Sequence, residues 1–173
     1  SEVYGTAQSI PISENHPLNA QSPYAASKTG SDQLALSFYK SFKLPVTIIR
    51  PFNTFGPRQS TRAIIPTIIN QLFHNKQIRL GNINTKRDFT FITDTVEGYV
   101  RALKSKKITG ETINISSGFE MSIKQLLNEI FIVAGRSKKV VTEKKRIRPD
   151  NSEVTRLLGS NKKALKLLKW KPV

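Results

Sequence analysis

Tyr24 and Lys28 stand four residues apart in a stretch that opens Ser22-Pro23. Serine followed by proline is a helix start, with a cap residue and then proline at the first helical position. On a helix, residues four apart share one face, so the phenol and the ammonium point the same way. A neighbouring positive charge favours the phenolate. A tyrosine so placed can take a proton from an alcohol hydroxyl as hydride leaves the carbon. Ala25, Ala26 and Ser27 are small and permit close approach to this turn. The same spacing arises by chance on any solvated helix, so the pair gains meaning only from the chemistry around it.

The elements that must position the pair follow α/β grammar. Leu34, Ala35, Phe38 and Phe42 recur at helical spacing, which predicts a helix over 23–42. Pro45 breaks it, and Val46-Thr47-Ile48-Ile49 reads as a short buried parallel strand. Residues 51–60 then form a loop at the strand's C-terminal end, the side on which open α/β sheets bind ligands. Further on, the pattern predicts a helix over 62–74 and strands over 78–80, 89–92 and 112–115. A helix capped by Thr93 or Asp94 runs to Leu103. Ser122 caps another, which runs to Ala134 and stops at Gly135. Val140 and Val141 form a small strand. Residues 151–158 and 160–168 read as two short helices, and residues 1–22 as a strand end followed by a loop.

Composition sets the outer bounds. The chain has 173 residues, 38% of them hydrophobic, enough for a real core. With no cysteine there is no thiolate or disulfide chemistry, which fits a reducing compartment. His16 and His74 are far apart, so no metal site is expected. No apolar run is long enough for a bilayer, and Ser1-Glu2-Val3-Tyr4-Gly5 has no leader character; a cytoplasmic protein is expected. The net charge of +16 favours anionic partners, phosphorylated ligands among them. The lysines and arginines cluster around 104–107, 138–148 and 162–171, largely as solvated faces. Nucleic-acid recognition motifs are absent, so nucleic acid is not the expected partner.

Five ordered stretches resemble the extended short-chain dehydrogenase/reductase family, in its nucleotide-sugar epimerase and 4,6-dehydratase branch. They are Ser1-Glu2-Val3-Tyr4-Gly5, the Tyr24-x-x-x-Lys28 box, Arg50-Pro51-Phe52-Asn53 through Gln59, Arg87-Asp88-Phe89 with Asp94, and Arg148-Pro149-Asp150 with Ser152-Glu153-Val154. The resemblance runs from Ser1 to about Ala164. It implies a partial NAD(P)-binding Rossmann-like α/β fold with a small mixed α/β substrate lobe. Residues 1–60 would belong to the Rossmann-like part and 61–173 mainly to the lobe, with elements around 88–115 returning to the Rossmann-like part. Tyr24 matches the catalytic base and Lys28 its partner on the ribose of NAD. Asn53, Arg87 and Arg148 match residues that hold the substrate diphosphate, a role suited to guanidinium forks. Read alone, Asn53 could be a loop cap, and Arg87 a surface charge or a partner of Asp88. Arg58, Lys86 and Asp150 are further supporting groups.

Glu2 falls where 4,6-dehydratases of this family carry a glutamate base, and Ser1 where some have aspartate and others serine. Resemblance at that position favours NAD-dependent 4,6-dehydration of a UDP- or GDP-linked hexose or N-acetylhexosamine over 4-epimerisation. A non-catalytic fragment that binds nucleotide sugars or other polyanions is the reading from another class. The family's Gly-x-x-Gly-x-x-Gly turn does not occur in this sequence. Activity is therefore expected only with an N-terminal half of the same enzyme, the isolated piece being inactive. Family dimers pack the tyrosine helix against its mate, so a homodimer is expected. A parallel sheet cut in half would expose apolar surface and associate.

Overall fold

A computed structural model describes residues 1–173, apart from the side chain of Asp150. The predicted tyrosine helix is α1, Pro23–Phe42, and Ser22 Oγ caps it by accepting from Ala25 N at 3.1 Å. Then follow β1 (Ile48–Pro51), β2 (Asn53–Phe55), α2 (Ile64–His74), β3 (Ile78–Leu80), β4 (Lys86–Phe91) and α3 (Ile92–Lys104). The remainder is β5 (Thr112–Ile115), β6 (Glu120–Ser122), α4 (Ile123–Ala134), β7 (Val140–Thr142), β8 (Arg156–Leu157) and α5 (Lys162–Leu168).

The strand partners explain where ligand space arises. β1 runs parallel to β5, with Ile48 opposite Thr112 and Pro51 opposite Ile115. Phe52 N still donates to Ile115 O at 2.8 Å. One residue later the chain changes partner: β2 runs parallel to β4, with Asn53 opposite Phe89. β4 also pairs antiparallel with β6 and parallel with β8, while β3 pairs parallel with β7. Asn53 therefore sits where one strand pair ends and another begins, a place that leaves a crevice beyond the strand ends.

Three apolar clusters hold these parts. Ile68, Leu72, Ile78, Leu80, Ile123, Leu126 and Leu127 join α2, β3 and α4. Ile108, Ile113, Ile115, Ala164, Leu168 and Trp170 pack α5 on β5. Val3, Tyr4, Ile12, Phe52, Val154 and Leu157 lie between, beneath the N-terminal segment. α1 contributes almost nothing to them: of its residues only Ala25 is buried, while Leu34, Phe38 and Phe42 are exposed. The apolar stripe that predicts this helix thus faces outward. Among the described residues, no helix is long and apolar enough to cross a membrane.

Several local expectations are corrected. Residues 1–5 are not a strand end. Glu2–Tyr4 is a 3-10 turn, closed by Tyr4 N on Ser1 O and Gly5 N on Glu2 O. Gly5 follows at φ 63°, and a Cβ there would meet Asn19 O at 2.3 Å, so only glycine fits. β1 begins at Ile48, because Val46 O accepts from Gly110 N and Thr47 Oγ1 donates to Ile108 O, committing both residues to the turn before β5. Residues 53–55 are strand where a loop is expected, since β4 offers them an edge. β4 starts at Lys86, and α3 follows with Phe91 as its cap residue, not Thr93 or Asp94. Residues 151–158 are not a helix. A 3-10 turn, Asp150–Ser152, leads into β8, which is held extended as Ala7 N donates to Arg156 O and Lys86 N to Thr155 O. The predicted α4 forms with a reciprocal Ser122–Gln125 capping box and Gly135 in the left-handed conformation.

Candidate functional site

Tyr24 and Lys28 project from the first turns of α1, with Lys28 Nζ 5.7 Å from the centre of the Tyr24 ring. Tyr24 is 59% exposed, and among the described residues neither its hydroxyl nor the Lys28 ammonium has a hydrogen-bond partner. Both line a cavity of about 510 Å³ together with Ser1, Glu2, Asn53 and Thr54. The strand change places Asn53 there, and the 3-10 turn places Ser1 and Glu2. Ser1 N donates to Pro51 O at 3.2 Å, which ties that turn to the end of β1.

Glu2, Asn53 and Thr54 also line a second cavity, of about 360 Å³, which holds Arg62, Arg87, Arg146 and Arg148. The two cavities adjoin at Glu2, Asn53 and Thr54 and together outline a trough, with the tyrosine at one end and the arginines at the other. Asn53 Oδ1 is buried there without a hydrogen-bond partner. A buried amide without a partner is a group that a ligand can satisfy.

Four guanidiniums share the arginine end with two carboxylates, Glu2 and Glu153. Arg87 is largely buried and lies 3.7 Å from Glu153 Oε1. Burial pulls Arg87 below the ordinary arginine range; Glu153 and then Glu2 oppose this, and Arg148 adds to it. Arg148 Nη1 lies 4.0 Å from Glu2 Oε1. Arg146 is also paired with Glu143 at 2.5 Å, and the end keeps a positive surplus suited to an anionic group.

The structure brings Ser1, Glu2, Tyr24, Lys28 and Asn53 into one cavity, and Glu2, Asn53, Arg87 and Arg148 into its neighbour. Asp88 is not the partner of Arg87. It points to the other face of β4 and accepts from Ser117 N, Ser117 Oγ, Gly118 N and Gly159 N at 2.6–3.2 Å. Arg58 and Lys86 line neither cavity; Lys86 instead lies 3.9 Å from Glu120. The Asp150 side chain lies outside the described residues.

Sequence reasoning missed the buried polar group under the tyrosine end. Arg50 donates through Nε to Asp32 Oδ2 and through Nη1 to Tyr4 Oη, each at 2.8 Å. Tyr4 Oη donates in turn to Asn114 Oδ1 at 2.8 Å. Burial works against the Arg50 charge, yet Tyr4 and Asp32 outweigh it and hold the guanidinium above its ordinary range. Burial likewise pushes the Tyr4 phenol up, against the pull of Arg50. The available signal was an acid four residues after Lys28, on the same helical face, and an arginine ending an apolar strand. Arg62 and Arg146 were also missed as lining groups, because only the fold draws 62 and 146 to the same cavity.

Comparison with known proteins agrees along the whole chain. The family model described as GDP-mannose 4,6 dehydratase matches residues 1–173. The human dTDP-D-glucose 4,6-dehydratase is 37% identical over 130 residues, covering 75% of this chain and 37% of that protein. The Streptomyces griseus dTDP-glucose 4,6-dehydratase is 32% identical over 166 residues, covering 91% of this chain and 50% of that protein. Among solved structures, UDP-glucuronic acid 4-epimerase from Bacillus cereus, in complex with UDP-glucuronic acid and NAD, superposes with a TM-score of 0.92. It is 31% identical, over 100% of this chain and 54% of that one. The Bacillus anthracis dTDP-glucose 4,6-dehydratase with NAD gives 0.89 at 28% identity, over 99% of this chain and 54% of that one. These likenesses show a Rossmann-like α/β fold of the extended short-chain dehydrogenase type. The chain spans between 30% and 54% of the length of the curated relatives it matches.

Proposed function

Since the chain belongs to the GDP-mannose 4,6-dehydratase family of nucleotide-sugar dehydratases and epimerases, we propose that it forms the catalytic wall and substrate lobe of an NAD-dependent nucleotide-sugar 4,6-dehydratase. The substrate in this reading is a UDP- or GDP-linked hexose or N-acetylhexosamine. The observation that carries it is the pair of adjoining cavities, which sets a tyrosine and lysine at one end and four arginines at the other. A sugar joined to a nucleotide through a diphosphate has that same order of parts.

Each residue then has a stated task. Arg87 and Arg148 hold the diphosphate, with Asn53 between it and the sugar. Tyr24 Oη takes the proton of the sugar 4-hydroxyl, and the Lys28 ammonium stabilises the charge left on the phenol. Bound NAD would supply the hydride-transfer chemistry at the sugar. Glu2 takes the C5 proton, and the Ser1 hydroxyl serves the oxygen that departs from C6 as water. Tyr24 and Lys28 are the residues here that would hold the cofactor's ribose. Their open cavity and unpartnered polar atoms fit such a group. The glycine-rich turn for the cofactor pyrophosphate is absent from this sequence and comes, in this reading, from the N-terminal half of the same enzyme. In this reading the protein is a homodimer, which the outward apolar face of α1 supports.

The likeness to UDP-glucuronic acid 4-epimerase favours a second reading, 4-epimerisation. Incubating the full-length protein with NAD and a panel of UDP- and GDP-linked sugars separates the two. A 4-keto-6-deoxy product is expected. A C4 epimer formed without loss of water overturns dehydration in favour of epimerisation, and no turnover of any sugar overturns both.

A further inference from the structure

Arg50 is buried, 6% exposed, at the end of β1, and its fork reaches two other segments. Through Asp32 it holds α1, which carries Tyr24 and Lys28. Through the Tyr4 hydroxyl it holds the 3-10 turn that carries Glu2. Its own backbone leads within three residues to Asn53. Asp32 and Arg50 line the same cavity as Tyr24 and Lys28. One guanidinium thus joins the three segments that bear the proton-handling groups of the trough.

We propose that Arg50 and Asp32 are positioning residues that set the register of the catalytic helix against the Glu2 turn and Asn53. The inference rests on the function proposed above for the trough, and it adds two residues to that site. Within this chain α1 buries one residue, Ala25, and the Arg50–Asp32 bond is a directional tie between the helix and β1. A planar fork bonded at two nitrogens fixes direction as well as distance, which a lysine cannot do. Asp32 lies eight residues from Tyr24, about 12 Å along the axis. A tilt of about 10° at Asp32 would move the phenol by about 2 Å, and misplacement on that scale costs about a hundredfold in rate. Arg87 on β4 and Arg146 and Arg148 after β7 make no bond to the clamp itself, so its loss is expected to bear more on the tyrosine end than on diphosphate binding.

The test uses the full-length protein with NAD and its nucleotide sugar. Asp32→Asn, and Arg50→Lys, which keeps the charge and loses the fork, are each expected to lower kcat by about tenfold or more while KM stays within about twofold. Hydrogen exchange across residues 23–32 is expected to speed up in both. Glu97→Gln, which breaks the exposed Glu97–Arg101 pair on α3, is expected to change neither reading. Wild-type kcat in a folded Asp32→Asn or Arg50→Lys protein overturns the proposal, as does a loss that falls on KM alone. If neither variant folds, Tyr4→Phe removes one contact of the fork; lower kcat at constant KM supports the clamp, and unchanged kcat overturns it. If the wild-type protein turns over no nucleotide sugar, the functional reading fails and hydrogen exchange decides the clamp by itself. Faster exchange over 23–32 supports it, and unchanged exchange overturns it.

Discussion

Glu2 and Arg87 occupy different parts of the trough and should fail in different ways. Glu2→Gln keeps the shape of the turn and removes the base. It is expected to slow formation of the 4-keto-6-deoxy product by about 10²–10⁴-fold. Reduced cofactor should still form on mixing with substrate, because Tyr24 and Lys28 are intact. Normal turnover of dehydrated product would show that Glu2 is not the base. Arg87→Gln acts on binding. The guanidinium is buried against Glu153, and its loss leaves that carboxylate facing the diphosphate. An increase in KM of about 30-fold or more is expected, with kcat less affected. Isothermal titration with the nucleoside diphosphate alone should show the same loss. Residue chemistry alone left Glu2 and Arg87 readable as surface charges; the resemblance of their stretches to the family is what singled them out. The Ser152-Glu153-Val154 stretch was legible through the resemblance, but its pairing with Arg87 was not, because nothing local says that the chain will bring Glu153 to β4.

Among the elements, β4 bears most of the connections, and Asp88 is the reason. Its two oxygens accept four donors from the turn after β5 and the segment before α5. Asp88→Ala would leave buried N–H groups without an acceptor. A loss of about 3 kcal/mol is expected, read as a lower urea midpoint of the full-length protein. Asp88→Asn, which keeps one acceptor oxygen, should lose less. Elements with a local physical signature were readable in advance. α1 and α4 announced themselves through Ser22-Pro23, Ser122 and Gly135. β8 and the true start of β1 were not readable. Their conformation depends on partners far along the chain, as when Lys86 N holds Thr155 O or Gly110 N holds Val46 O. Residues 151–158 have the spacing of a helix and lose to those pairings, a case of tertiary contacts overriding local preference.

For the whole molecule, the outward face of α1 is the feature with a consequence in solution. Leu34, Phe38 and Phe42 form an exposed row, and Leu103 on α3 is exposed as well. The isolated 173-residue chain is expected to self-associate at micromolar concentration, seen by light scattering as a mass above that of a monomer. Leu34→Lys with Phe38→Lys should reduce that mass. A monodisperse, cooperatively unfolding monomer would show that this face needs no cover. The sequence by itself determined the α/β alternation and the spacing of the tyrosine–lysine pair, because caps and periodicity are local properties; Arg87 and Arg148 stood out only through the resemblance of their stretches to the family. Only the tertiary structure decided that Glu2 and Asn53 stand where the two halves of one trough meet. It also decided that Arg50 ties Asp32 and Tyr4 together beneath the tyrosine. Those facts depend on a change of strand partner at Phe52 and on a guanidinium bridging segments 18 and 46 residues away. Contacts of that range are set by how the sheet closes, and no local pattern encodes them.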